Sequence, residues 1–283
     1  MQEEDNILTS ELIEKYIFYL WEQERAENTV KKYSHDIKAF YRWLDGRPVT
    51  KPVLMEWKEY LVSSYAPASV NSMLAAVNGF LQFTDWKGLS VKPLRIQKSL
   101  FCDESKELSE KEYIRLVEAA RQEGNERLLL ILQTICATGI RVSELKFITA
   151  EAVQTGKTKI SNKGKQRTVF LPGKLCSLLK RYLQKERRTK GAVFVTRTGK
   201  PVDRSNIWRD MKKLCKGAEI EPSKVFPHNL RHLFARTYYA FEKDIARLAD
   251  ILGHSSINTT RIYTMESGKI HARQIDRLGL VIT

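Results

Sequence analysis

Apolar residues recur at steps of three and four through most of this chain, a spacing that predicts a mainly helical protein. The clearest case is "NTVKKYSHDIKAFYRWLDG", in which Val30, Tyr33, Ile37, Phe40, Tyr41 and Leu44 share one face, Asn28 is placed to cap the helix and Gly46 to stop it. Similar faces run through "LIEKYIFYLWEQ", "VLMEWKEYLVSSY" and "SVNSMLAAVNGFLQF". The first hundred or so residues therefore predict a bundle of about four helices, with the aromatic side chains in its core rather than set out as platforms for bases.

The period fails between Lys87 and Leu108, where a proline and mixed charges read as an extended connection. The division expected is a helical domain over 1–97, a linker over 98–107 and a second domain over 108–283, with a tail from about 265. Ser109 and Glu112 stand at capping-box spacing ahead of a face made by Tyr113, Leu116, Val117 and Ala120. "RLLLILQTICATG" reads as a buried helix ending at Gly139. The stretch "AEAVQTGKTKISNKGKQRTVFL", ending at Leu171, then offers three short runs parted by "QTGK" and "NKGK", which predicts a small three-stranded antiparallel sheet. Helical faces resume with Leu175, Leu178, Leu179, Tyr182 and Leu183 and continue through "SNIWRDMKKLC", "LRHLFARTYYAF" and "DIARLADILG". The fold class expected is a multidomain, mainly α protein: an N-terminal bundle and a C-terminal mixed α+β domain.

Charge adds a function class. The 283 residues carry a net charge of +15. Residues 1–100 balance 13 basic against 13 acidic side chains, so the whole excess lies in the second part. Such an excess points to a polyanion, either nucleic acid or an anionic membrane surface. No long helix pairs a basic face with a wide apolar one, and no apolar run reaches membrane-spanning length, which disfavours the membrane. The four cysteines form no C-x-x-C pair, so neither a disulfide scaffold nor a cysteine zinc site is suggested, and a reducing cytoplasm is the expected setting.

Four pieces of the basic part carry candidate chemistry: "TGIRVSEL" with Arg141, "NKGKQR" with Lys163, "HNLRH" with His228 and Arg231, and "LGHSSINTTRIYT" with His254 and Tyr263. His228 and Arg231, three apart behind Pro227, would face one point if Pro227 opens a helix. Two arginines suit a tetrahedral oxyanion, because each planar guanidinium gives paired hydrogen bonds and keeps its charge. Each residue alone also fits a plain surface role. His228 and His232 are four apart, as in helical zinc pairs, yet Asn229 stands where the metalloprotease glutamate would be, and no metal is expected. A phenol attacks only where a positive pocket or a base helps it lose its proton.

In this order the four pieces resemble the tyrosine recombinase, or phage integrase, family, and the bundle resembles its SAM-like core-binding domain. The resemblance implies that Arg141 and Arg231 are the arginines of the active site, Lys163 its hairpin lysine, His228 the histidine of H-x-x-R, His254 the second histidine and Tyr263 the nucleophile. Asn229 departs from the family's usual aspartate, and Val142 from a frequent isoleucine.

The same resemblance implies a site-specific recombinase that cuts and rejoins double-stranded DNA through a 3′-phosphotyrosyl link, without cofactor or metal. Lys163 would protonate the leaving oxygen, and His254 would hold phosphate or take the tyrosine proton. A tetramer on DNA with exchange of the C-terminal tail is implied as well, as is a Xer-like or transposon-type enzyme. The alternatives are a type IB topoisomerase, which shares the catalytic set, and a catalytically silent DNA-binding protein of the same fold.

Overall fold

The computed structural model describes residues 6–97, 103–162, 165–265, 273 and 275–278. The chain divides into two compact units, Met1–Lys98 and Ser99–Thr283.

The first unit is a bundle of α1 (Ser10–Glu22), α2 (Glu27–Leu44), α3 (Lys51–Ser64) and α4 (Pro67–Phe83). Thr9 and Thr50 cap α1 and α3 through their hydroxyls, and Pro67 opens α4 at a position where its missing N–H costs nothing. On α2 the residue at the cap is Ala26, so Asn28 lies inside the helix; the chain leaves it through Asp45 and Gly46, both left-handed. Val30, Ile37, Phe40 and Leu44 are buried, whereas Tyr41 points outward. Tyr16, Phe40, Trp57 and Phe80 are core residues, and they pack edge-on or tilted against aromatic neighbours. The side-chain amides of Asn78 and Asn71 each exchange two hydrogen bonds with the backbone of Val91 and Leu94, fastening the departing chain along α4.

In the second unit, α5 (Glu110–Gln122) begins with the reciprocal Ser109–Glu112 capping box. The helix α6 (Glu126–Thr138) is buried over most of its surface and packs against α5, α8 (Gly173–Lys185), α9 (Arg204–Ala218) and α10 (Pro227–Glu242). It stops at Gly139, whose φ of +64° only glycine adopts without strain, and a 3-10 helix over Val142–Phe147 follows.

The sheet differs from expectation. Among the described residues it has two strands, β1 (Lys157–Asn162) and β2 (Lys165–Phe170), paired antiparallel from Lys157 opposite Phe170 to Asn162 opposite Lys165. The run expected as a third strand is instead the helix α7 (Ala150–Thr155). Its composition of Ala, Glu and Gln favours helix, Thr149 caps it by accepting from the N–H of Ala152, and Gly156 ends it in the left-handed region. After α10 come α11 (Ile245–Leu252) and the short α12 (Ile257–Arg261). No described helix is long and apolar enough to cross a membrane.

Candidate active site

Arg231 is the centre of the site and is 1% exposed. Pro227 does open α10, which sets Arg231 in its second turn, facing the C-terminal ends of two other helices. Its Nη1 donates to the carbonyl of Gly139 at 2.6 Å, and its Nη2 to the carbonyl of Leu252 at 2.7 Å. Helix ends leave carbonyls without partners, and a guanidinium satisfies them while its charge opposes the negative end of each dipole. Nη2 also donates to Nε2 of His254 at 2.9 Å. Burial, and then the charge of Arg141, lower the Arg231 pKa to about 10, a value that still leaves it charged at neutral pH, and Tyr263 acts in the opposite direction.

His254 follows Gly253, the left-handed stop of α11, so that helix end fixes where the imidazole stands. Its Nδ1 lies 2.9 Å from the hydroxyl of Thr260, a fully buried residue of α12. Tyr263 comes two residues after α12, is 3% exposed, and has its ring stacked on His254 at a centroid distance of 5.8 Å. His232 also meets it, nearly at right angles, at 4.7 Å, and His228 meets His232 at 4.5 Å. His228, in the first turn of α10, is exposed as a residue. Desolvation of its ring, then His232, Arg231 and Arg141, pushes its pKa down to about 4. His254 falls to about 4 as well, through burial and then Arg231, Arg141 and Arg167. Both imidazoles are neutral at pH 7, as the positive surroundings require.

Arg141 stands at the start of the 3-10 helix with its side chain 35% exposed, one nitrogen 3.3 Å from Glu144. Five of the six residues expected from the sequence are thus gathered in the second unit: Arg141, His228, Arg231, His254 and Tyr263. Lys163 lies outside the described residues, in the connection between β1 and β2.

Two side chains that the sequence reading passed over hold this arrangement together. Glu144, 1% exposed, accepts two hydrogen bonds from Arg167, at 3.0 and 2.7 Å, and one from the N–H of Arg141. Burial would raise its pKa, but the Arg167 bonds and neighbouring positive charge outweigh that and lower it. Arg167, on β2, also donates to the carbonyl of Ile251. It therefore ties the hairpin, the 3-10 helix and the end of α11 into one frame. The available signal was Glu144 standing three residues after Arg141, the spacing of a capping box. Asn229 is 2% exposed and donates to the carbonyls of Lys106 and Lys224, which a carboxylate could not do.

The sequence profile described as "Phage integrase family" matches residues 106–269, more than half of the chain. The chain belongs to the phage integrase family. A second profile, "Phage integrase, N-terminal SAM-like domain", matches residues 13–88. Among curated relatives of the chain, the tyrosine recombinase XerD of Xanthomonas campestris is 30% identical, covering 94% of this chain and 92% of its own. The tyrosine recombinase XerA of Pyrococcus furiosus is 28% identical, with 98% and 97% covered. The crystal structure of a XerA recombinase aligns with a TM-score of 0.53 at 26% identity, over 97% of this chain and 100% of that one. Lambda integrase (75–356), solved as a dimer bound to a COC′ core site, gives a TM-score of 0.75 at 17% identity, over 93% and 97%, a likeness of fold. The chain is a Xer-like tyrosine recombinase, an enzyme of site-specific recombination.

Proposed function

We propose that the chain exchanges strands of double-stranded DNA, with Tyr263 attacking the scissile phosphate. The phenol oxygen forms a 3′-phosphotyrosyl link while the bond to the 5′-oxygen breaks. The freed 5′-hydroxyl of a partner strand reverses the step, so the bond energy is kept. The supporting observation is the packing of one buried phenol against both His254 and His232, beside Arg231, where segments from Arg141 to Tyr263 converge.

Arg141, Arg231 and His228 hold the non-bridging oxygens as charge develops. His254 aids phosphate binding through its bond to Arg231. Lys163 protonates the leaving 5′-oxygen. A preorganised donor of this kind contributes about 3 to 4 kcal/mol to the transition state.

The net charge of +15 supports a DNA partner held largely through phosphates, in the cytoplasm, with binding that weakens steeply as salt rises. Self-association on DNA as a tetramer completes the reading. The apolar part of the tail, including the exposed Ile275 and Leu278, would engage a neighbouring protomer; Ile270, Leu280 and Val281 lie outside the described residues.

The test is a nicked suicide substrate that traps the covalent adduct. Wild-type protein is expected to form it in EDTA, and Tyr263→Phe to bind the same DNA without forming it. A full-rate adduct from Tyr263→Phe would remove the assignment.

A further inference from the structure

The phenolic proton of Tyr263 needs an acceptor, and the bond pattern in the site selects one. His254 is already committed on both ring nitrogens. An arginine only donates, so Nε2 of His254 accepts from Arg231, which leaves the proton on Nδ1 for the hydroxyl of Thr260. No lone pair remains on that imidazole for the tyrosine. His228 forms no ring contact with Tyr263 among the described residues, and it faces Arg231 and Arg141, which oppose its protonation.

His232 is differently placed. Its Nδ1 lies 3.2 Å from Oε1 of Glu107, a carboxyl that Arg236 also approaches to 3.7 Å through the other oxygen. Burial works to raise the Glu107 pKa, but the His232 bond and the charges of His232, Arg236 and His228 together hold it below the usual carboxylate range. An ionised Glu107 can only accept, so Nδ1 of His232 carries a proton, and in the neutral form of the ring the lone pair is on Nε2. That Nε2 is buried and has no hydrogen-bond partner among the described residues. A buried polar nitrogen without a partner is costly in a folded protein, and here it belongs to the ring that meets Tyr263 at 4.7 Å and 82°.

We propose that Glu107 and His232 form the base of the reaction: Glu107 holds the Nδ1–H tautomer, and Nε2 of His232 takes the phenolic proton as the tyrosine oxygen bonds to phosphorus. The P–O5′ bond breaks with its electron pair leaving on the 5′-oxygen, which receives its own proton from a separate acid. In religation the His232 imidazolium returns the proton to the departing phenolate, and the Glu107 carboxylate stabilises that cation meanwhile. The other charged and titratable groups facing the pair are Arg236, His228 and Tyr263 itself. This inference rests on Tyr263 being the nucleophile.

The test is single-turnover cleavage of a suicide DNA substrate by the full chain from pH 5 to 9, beside DNA affinity and thermal unfolding. Tyr263→Phe, run in parallel, must form no adduct; if it does, the nucleophile assignment fails, which is a separate result. With that control inactive, His232→Asn is expected to bind DNA as wild type does and to cleave about a hundredfold more slowly, the usual scale of a lost general base. A substrate with sulfur at the bridging 5′ position, whose thiolate leaves without an acid, is expected not to rescue His232→Asn. Rescue by that substrate, or wild-type cleavage by His232→Asn, would overturn the proposal. If His232→Asn unfolds, Glu107→Gln decides: removing the carboxylate is expected to slow cleavage about tenfold and move the acidic limb of the profile to lower pH. An unchanged profile in Glu107→Gln would equally sink it.

Discussion

Nη2 of Arg231 donates to Nε2 of His254 across 2.9 Å, and this one bond fixes the protonation pattern of the imidazole. Replacing the ring by leucine leaves Arg231 a buried donor without that acceptor and removes the surface on which Tyr263 stacks. His254→Leu is expected to lower the single-turnover cleavage rate by about two to three decades while DNA affinity changes far less. An equal loss in both measurements would show that His254 serves binding alone.

The two depressed histidines make stability depend on pH. Their folded values are about 4 against an ordinary 6.5, so between those pH values the unfolded chain binds more protons than the native one. Stability is then full above about pH 6.5 and is lost as pH falls toward 4. The expected result is a thermal midpoint that drops across this window, and drops less in His228→Gln/His254→Gln. Identical profiles for the two proteins would rule out these groups as the cause.

The Glu144–Arg167 pair is nearly buried, with side-chain exposures of 2% and 13%. Arg167→Met leaves the Glu144 carboxylate with only the Arg141 contacts and should cost about 3 to 5 kcal/mol in urea unfolding. The double variant Arg167→Met/Glu144→Gln should recover part of that loss, because no charge is then stranded. Additive losses would mean that the two residues act separately.

Asn229→Asp tests the departure from the family's usual residue. Two donated hydrogen bonds become two contacts between a carboxylate and a carbonyl oxygen, at Lys106 and Lys224. The expected cost is about 1 to 3 kcal/mol at pH 7, smaller at acid pH where the new carboxyl can donate. A neutral substitution would show that the amide bonds contribute little.

Glycines 139 and 156 form a controlled comparison, since both have positive φ, at +64° and +70°. A Cβ at Gly156 meets nothing within 4 Å, so Gly156→Ala should cost about 1 kcal/mol from backbone strain alone. At Gly139 it would stand 2.4 Å from Cδ1 of Phe234, beside the carbonyl that holds Arg231. Gly139→Ala should therefore cost several times as much in thermal unfolding and reduce cleavage too. Equal effects at the two sites would discount the steric argument.

Much of this fold is legible along the chain, because its signals are local. The Ser109–Glu112 box, the stops at Gly139 and Gly253 and the opening at Pro227 each act within one helical turn and are read from a few neighbouring residues. The failure at Ala150–Thr155 has a local cause as well: two glycine-containing turns suggested a sheet, but the capping threonine and the helix-forming composition outweighed them. Glu144, Arg167, Glu107 and His232 were not legible as a group. Their partners stand 23 and 125 residues away, and single charged residues at such separations carry no periodic signature.

By itself the sequence determined which side chains could bear the chemistry and on which helix ends they would sit, since caps, stops and apolar spacing are short-range properties. Only the tertiary structure decided which nitrogen of His254 and which of His232 faces an acceptor and so holds a proton. Those assignments depend on acceptors brought from distant segments, and a proton settles according to the groups that surround it in space.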